Sequence, residues 1–113
     1  MITEKKRTRL PPESRRQAIF AAAIDAAERL DYRHMTREDI GKAAGCTPAL
    51  VSAYFGDMED IRKMIVEHGC TSGNLLLIGQ AMAARHPMTR RLDINLRLAA
   101  AKKYLGLSTL SAN

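Results

Sequence analysis

Residues 36–55 read TREDIGKAAGCTPALVSAYF, and the rest of the chain is organised around them. Thr36 can cap a helix, and Asp39 three residues on completes an S/T-x-x-D/E start signal. Ile40, Ala43 and Ala44 then fall on one face at helical spacing. Gly45 is a natural stop, because the residue past a helix end often needs a left-handed backbone that glycine adopts freely. Thr47 is a second N-cap, and Pro48 stands at a first-turn position where proline loses no hydrogen bond. Val51 and Phe55, four apart, give the second helix an inward stripe. Two capped helices around a glycine turn make the layout of a helix-turn-helix.

Gly45-Cys46-Thr47-Pro48-Ala49-Leu50-Val51-Ser52-Ala53-Tyr54-Phe55-Gly56-Asp57 resembles the recognition-helix region of TetR-type regulators. Gly45, Thr47, Val51, Tyr54, Phe55, Glu59 and Ile61 fit that pattern over a stretch of about residues 15 to 68. Ala49 stands for its glycine, Ser52 for its tyrosine and Met58 for its phosphate-contacting lysine. Ser52 followed by Tyr54-Phe55-Gly56 is similar to a betaine-regulator-like branch. The resemblance implies that Thr47, Pro48, Ala49, Ser52 and Ala53 face a DNA groove and that Tyr54 reaches a phosphate. Thr36 and Arg37, at a helix start that favours anions, would grip the backbone. Leu50 has a family place near the groove, but its side chain can equally pack inward.

Alanine is abundant, aromatics make up only 4%, and no Val/Ile/Thr alternation suggests a sheet, so the fold class expected is all-α. A chain of 113 residues with 46% hydrophobic and 27% charged content is expected to form one globular unit. Its net charge of +6 points to an anionic partner but is unevenly spread. Residues 1–17 carry six bases against two acids, +4; residues 18–67 carry six against nine, −3; residues 68–113 carry six against Asp93 alone, +5. No Lys or Arg lies between Cys46 and Asp57, which counts against a strong electrostatic grip from the second helix alone. Ala and Thr methyls can still meet a thymine methyl, and Ser or Thr hydroxyls can bond bases. Two cysteines make no disulfide framework; Cys46 reads as a small buried hydrophobe and Cys70 is assigned no role.

Taken in order, residues 1–12 form a basic arm whose Lys5, Lys6, Arg7 and Arg9 can lie along DNA. A first helix is expected from Glu13 or Ser14 to about Leu30. Asp31 stands where the TetR pattern has glycine, and aspartate tolerates the left-handed turn better than most residues. After the central pair, Asp57 caps a helix to about His68, with Met58, Ile61, Ile65 and Val66 inward and Gly69 ending it. A fifth helix is expected from Thr71 or Ser72 to Arg85, stopped by Pro87. A last one runs from about Thr89 to Leu105. The expected division is therefore an arm over 1–12, a helix-turn-helix domain over 13–68 and a short helical dimerisation segment over 69–113. Leu75, Ile78, Met82, Ile94, Leu98, Ala101 and Leu105 are the residues expected at the dimer contact, because the fifth helix is apolar on almost every side.

His34, His68 and His86 are scattered, no Cys/His spacing supports zinc, and no nucleophile set or phosphate-cradling loop is present. Neither an enzyme, a metal nor a cofactor is expected. No signal peptide or membrane span is read, so the expected setting is cytoplasmic, at the nucleoid. The 45 residues after His68 are too few for both a dimer contact and an effector pocket of roughly 300–1,000 Å³, so no small-molecule effector is expected. The expectation is a bacterial or phage-type regulator that binds double-stranded DNA as a homodimer, by default a repressor on a palindromic operator. The alternative is a helical protein-interaction module, an antirepressor or adaptor, that kept the fold without DNA binding.

Overall fold

The computed structural model describes residues 12–106, and the basic arm at Lys5, Lys6, Arg7 and Arg9 lies outside them. The described residues are all-helical, with no strand among them. The helices are α1 (Pro12–Leu30), α2 (Arg37–Ala44), α3 (Pro48–Phe55), α4 (Met58–Ser72), α5 (Leu75–Ala83) and α6 (Ile94–Leu105). A 3-10 turn over Pro87–Arg91 joins the last two.

The start and stop signals around residues 36–55 act as their chemistry dictates. The Thr36 hydroxyl accepts the Asp39 N–H while the Asp39 carboxylate accepts the Thr36 N–H, a reciprocal capping box. Gly45 ends α2 at φ 74°, and Thr47 caps α3 by accepting the Leu50 N–H at 3.2 Å. Ile40 and Ala44 face inward, whereas Ala43 is exposed and Gly41 takes the inner place expected of it. Any Cβ on Gly41 would sit 2.6 Å from the Cys46 carbonyl oxygen. Only glycine lets the turn come that close.

One apolar core joins α1 to α5. Ala26 and Ala27 let helices approach closely, and Met35, Ile40, Val51, Ile61, Ile65 and Leu77 fill the space between them. Each such aliphatic side chain contributes about 1.5–3 kcal/mol on full burial. Leu30, the last residue of α1, is 41% exposed at the helix end. Asp31 does take the left-handed conformation, at φ 77°. Its carboxylate accepts the Arg33 backbone N–H at 2.9 Å and the Arg33 guanidinium at 2.7 Å. Burial pushes the Asp31 carboxyl up, but these hydrogen bonds and the Arg33 charge outweigh it and hold it below the usual range.

The C-terminal boundaries differ from expectation, each for a local reason. Gly69 does not end α4: it is buried within the helix, where a Cβ would lie 2.9 Å from that of Leu77. α4 runs on to Ser72, past the expected division after His68, and Gly73 at φ 73° is its cap. Asn74 then starts α5, its side-chain oxygen accepting the Leu77 N–H at 3.1 Å. α5 ends at Ala83 rather than Arg85, and Thr89 falls inside the 3-10 turn that Pro87 opens rather than at the start of the last helix. The final helix waits for Asp93, whose carboxylate caps it at Asn95.

Candidate nucleic-acid interface

Two contacts from distant sequence set the position of α2. Arg62 on α4 donates from Nε to the Tyr32 carbonyl at 3.2 Å and from Nη2 to that of Met35 at 3.5 Å, fixing the segment that leads into Thr36. Gln80 on α5 is only 3% exposed and bridges the same segment. Its Oε1 accepts the Tyr32 N–H at 3.0 Å, and its Nε2 donates to the Ala27 carbonyl at 2.9 Å. Sequence reading assigned neither residue a role. Gln80 had a visible signal, as the lone strongly polar side chain in an apolar helix; Arg62 had none.

On α3, Val51 and Phe55 are buried, and Leu50 is half-buried against the core. That resolves Leu50 as an inward residue. The opposite side presents Thr47, Ala49 and Ala53 exposed, with Pro48, Ser52 and Tyr54 half-exposed beside them. Small side chains leave this face low, so another surface can approach the backbone closely. Tyr54 also packs against the core and stands 6.4 Å, centroid to centroid, from the Phe55 ring.

α3 has no cation of its own, but the fold brings two to its sides. Arg37, at the first turn of α2, donates from Nη1 to the Ser52 Oγ at 2.5 Å. This unites two expected site residues fifteen positions apart. Arg16 on α1 lies with its guanidinium 4.5 Å from the centroid of Phe55, a cation–π contact at the far end of α3. Arg16 was counted among the N-terminal bases but not expected at the site. Thr36 is exposed, its hydroxyl engaged in the capping box. Asp57, which caps α4 just after α3, is held below the usual carboxylate range, first by the Asp60 backbone N–H and more weakly by the Arg37 charge.

The expected dimer residues fall into two groups. Ile78 is 1% exposed, packed inside the chain, and is therefore corrected from contact residue to core. Leu75, Met82 and Ala101 are half-buried. Ile94, Leu98 and Leu105 on α6 are 56%, 53% and 63% exposed, an apolar row at the outer side of the molecule. The apolar face left open thus lies on α6, not on α5. α5 is covered there because Gly79 admits α6 at close range, with Tyr104 Cβ 2.5 Å from where a Cβ would stand.

Cys46 and Cys70 are both free thiols packed beside the core, and burial pushes the Cys70 thiol up. No cluster of His, Cys, Asp or Glu fit to hold a metal occurs among the described residues, and none of their helices is long and apolar enough to cross a membrane. Comparison with protein-family models, curated proteins and solved structures returns no match for the chain.

Proposed function

We propose that the chain is a sequence-specific DNA-binding transcriptional regulator in which α2 and α3 act as a helix-turn-helix. The carrying observation is the low outer face of α3, Thr47, Ala49, Ser52 and Ala53, with the Arg37 guanidinium brought onto Ser52 from the helix before it. In this reading methyls of Ala49, Ala53 and Thr47 meet thymine methyls, and the Ser52 and Thr47 hydroxyls bond base edges. Arg37, Thr36 and Tyr54 hold phosphates, as does the basic arm at Lys5, Lys6, Arg7 and Arg9. A homodimer formed through the apolar row of α6 presents two copies of α3 to a palindromic operator, with half-sites about 34–36 Å apart or a multiple of that. Bound over a promoter, such a dimer represses by excluding polymerase.

The second reading is a helical protein-interaction module, an antirepressor or adaptor. It is favoured by the absence of any Lys or Arg on α3 itself. A gel shift against random duplex pools at two salt concentrations separates the two. A regulator selects a shared sequence from the pool and keeps preferring it at the higher salt. A chain that retains no duplex at the lower salt is an interaction module.

A further inference from the structure

Away from α3, the end of α5, the 3-10 turn and α6 enclose a cleft of about 250 Å³ lined by Met82, Arg85, His86, Thr89, Arg90 and Arg97. Three arginines and a histidine line it, and no carboxylate does. Among the described residues no ion pair joins any of the three guanidiniums to an acid. The Nε of Arg97 is buried and has no hydrogen-bond acceptor. A buried cationic N–H without an acceptor is unfavourable, and three like charges around one cleft repel one another. An anion in the space relieves the repulsion among the three guanidiniums.

The frame around the cleft is tied by local hydrogen bonds. Arg85 adopts φ 59°, a left-handed conformation that Gly45, Gly73 and Gly106 supply at other helix ends. A guanidinium is thus kept where glycine would be easier. Thr89 is 4% exposed and donates from Oγ1 to the His86 carbonyl at 2.8 Å. His86 accepts the Met88 N–H at Nδ1, leaving Nε2 as the ring's other polar atom. The cleft is smaller than the roughly 300–1,000 Å³ usual for organic ligands, and fits a compact tetrahedral anion. Guanidinium forks match phosphate oxygens in pairs, which a carboxylate-free wall of arginines suits.

We propose that this cleft binds a phosphate-class oxyanion, held by Arg85, Arg90 and Arg97. The phosphate belongs either to a free small molecule or to a nucleic-acid backbone, and the inference does not rest on DNA binding at α3. The test is calorimetric titration of the full chain with inorganic pyrophosphate, ionic strength being held constant with chloride. Saturable one-to-one binding is expected, weakened by roughly tenfold or more in Arg90→Gln and in Arg97→Gln. Lys102→Gln, exposed on α6 outside the lining, should bind as the unmodified chain does. Arg90 is itself exposed, so Arg90→Gln reports on the site even if Arg97→Gln fails to fold. A second arm measures duplex binding against salt. If Arg90→Gln reduces the slope by about 0.9 for every sequence while pyrophosphate does not saturate, the phosphate is a backbone one. Absence of saturable pyrophosphate binding together with an unchanged salt slope overturns the proposal, as does pyrophosphate binding that both arginine variants retain in full.

Discussion

At the scale of single residues, the face of α3 and the turn before it carry opposite demands. Ala49 is exposed, so its side chain is open to change. Ala49→Glu should leave the thermal melt unchanged and abolish selection of duplex DNA, because it sets a negative charge against phosphates and base acceptors. Wild-type affinity in that variant would remove α3 from the reading of bases. Gly41 is the reverse case, fixed by packing. Gly41→Ala drives a Cβ to within 2.6 Å of the Cys46 carbonyl, which is backbone and cannot swing aside. The variant should lose about 1–3 kcal/mol in denaturant unfolding. An unchanged midpoint would mean that the turn is looser than the structure has it.

Among the elements, the caps and one buried amide set how α2 is held. The Asp39 carboxyl lies below its ordinary value of 3.8, first because it accepts the Thr36 backbone N–H and then the Thr36 hydroxyl. Asp57 is lowered in the same sense by Asp60. A carboxyl whose folded pKa is depressed stabilises the fold above its unfolded pKa, and that contribution disappears as pH falls through the folded value. Stability should therefore be level in this respect from neutral pH to about 5 and decline below about pH 4. In Asp39→Asn plus Asp57→Asn the decline should be smaller, as followed by circular dichroism melts from pH 7 to pH 2.5. An equal decline would place the acid sensitivity elsewhere. Gln80 works between elements, its amide spanning Ala27 and Tyr32 from α5. Gln80→Met keeps the size but leaves the buried Tyr32 N–H without its acceptor, a loss of about 1–3 kcal/mol. Amide exchange of residues 31–36 should quicken in that variant more than exchange in α6.

For the whole molecule, the feature that governs assembly in the proposed function is the outer face of α6. Ile94, Leu98 and Leu105 stay exposed while the core below them is closed by Ala100 and Gly79. Leu98 is 53% exposed, so Leu98→Asp adds a charge with little effect on the single chain. It should leave the melt near that of the parent and turn a light-scattering dimer into a monomer that loses operator binding. A stable monomer of the unmodified chain at micromolar concentration would remove the homodimer from the proposed function. Ile78→Asp would not serve, because Ile78 lies in the core and the change would unfold the chain.

Residues 36–55 determined their own local structure, since each signal there acts within four residues. Thr36 with Asp39, Gly45, and Thr47 with Pro48 form caps and turns from neighbouring backbone alone, and all of them were legible. The all-α class was legible too, from alanine content and helical spacing. Only the tertiary structure decided where α4 and α6 end and begin, because Gly69 serves packing against Leu77 rather than chain termination, and Asp93 competes with Thr89 as a cap. It likewise decided that Ile78 is core, that Arg37 meets Ser52, and that Gln80 bridges to Ala27 and Tyr32. Those pairings join residues from fifteen to more than fifty positions apart. Helical periodicity says which side of a helix is apolar; it does not say which other helix will cover it.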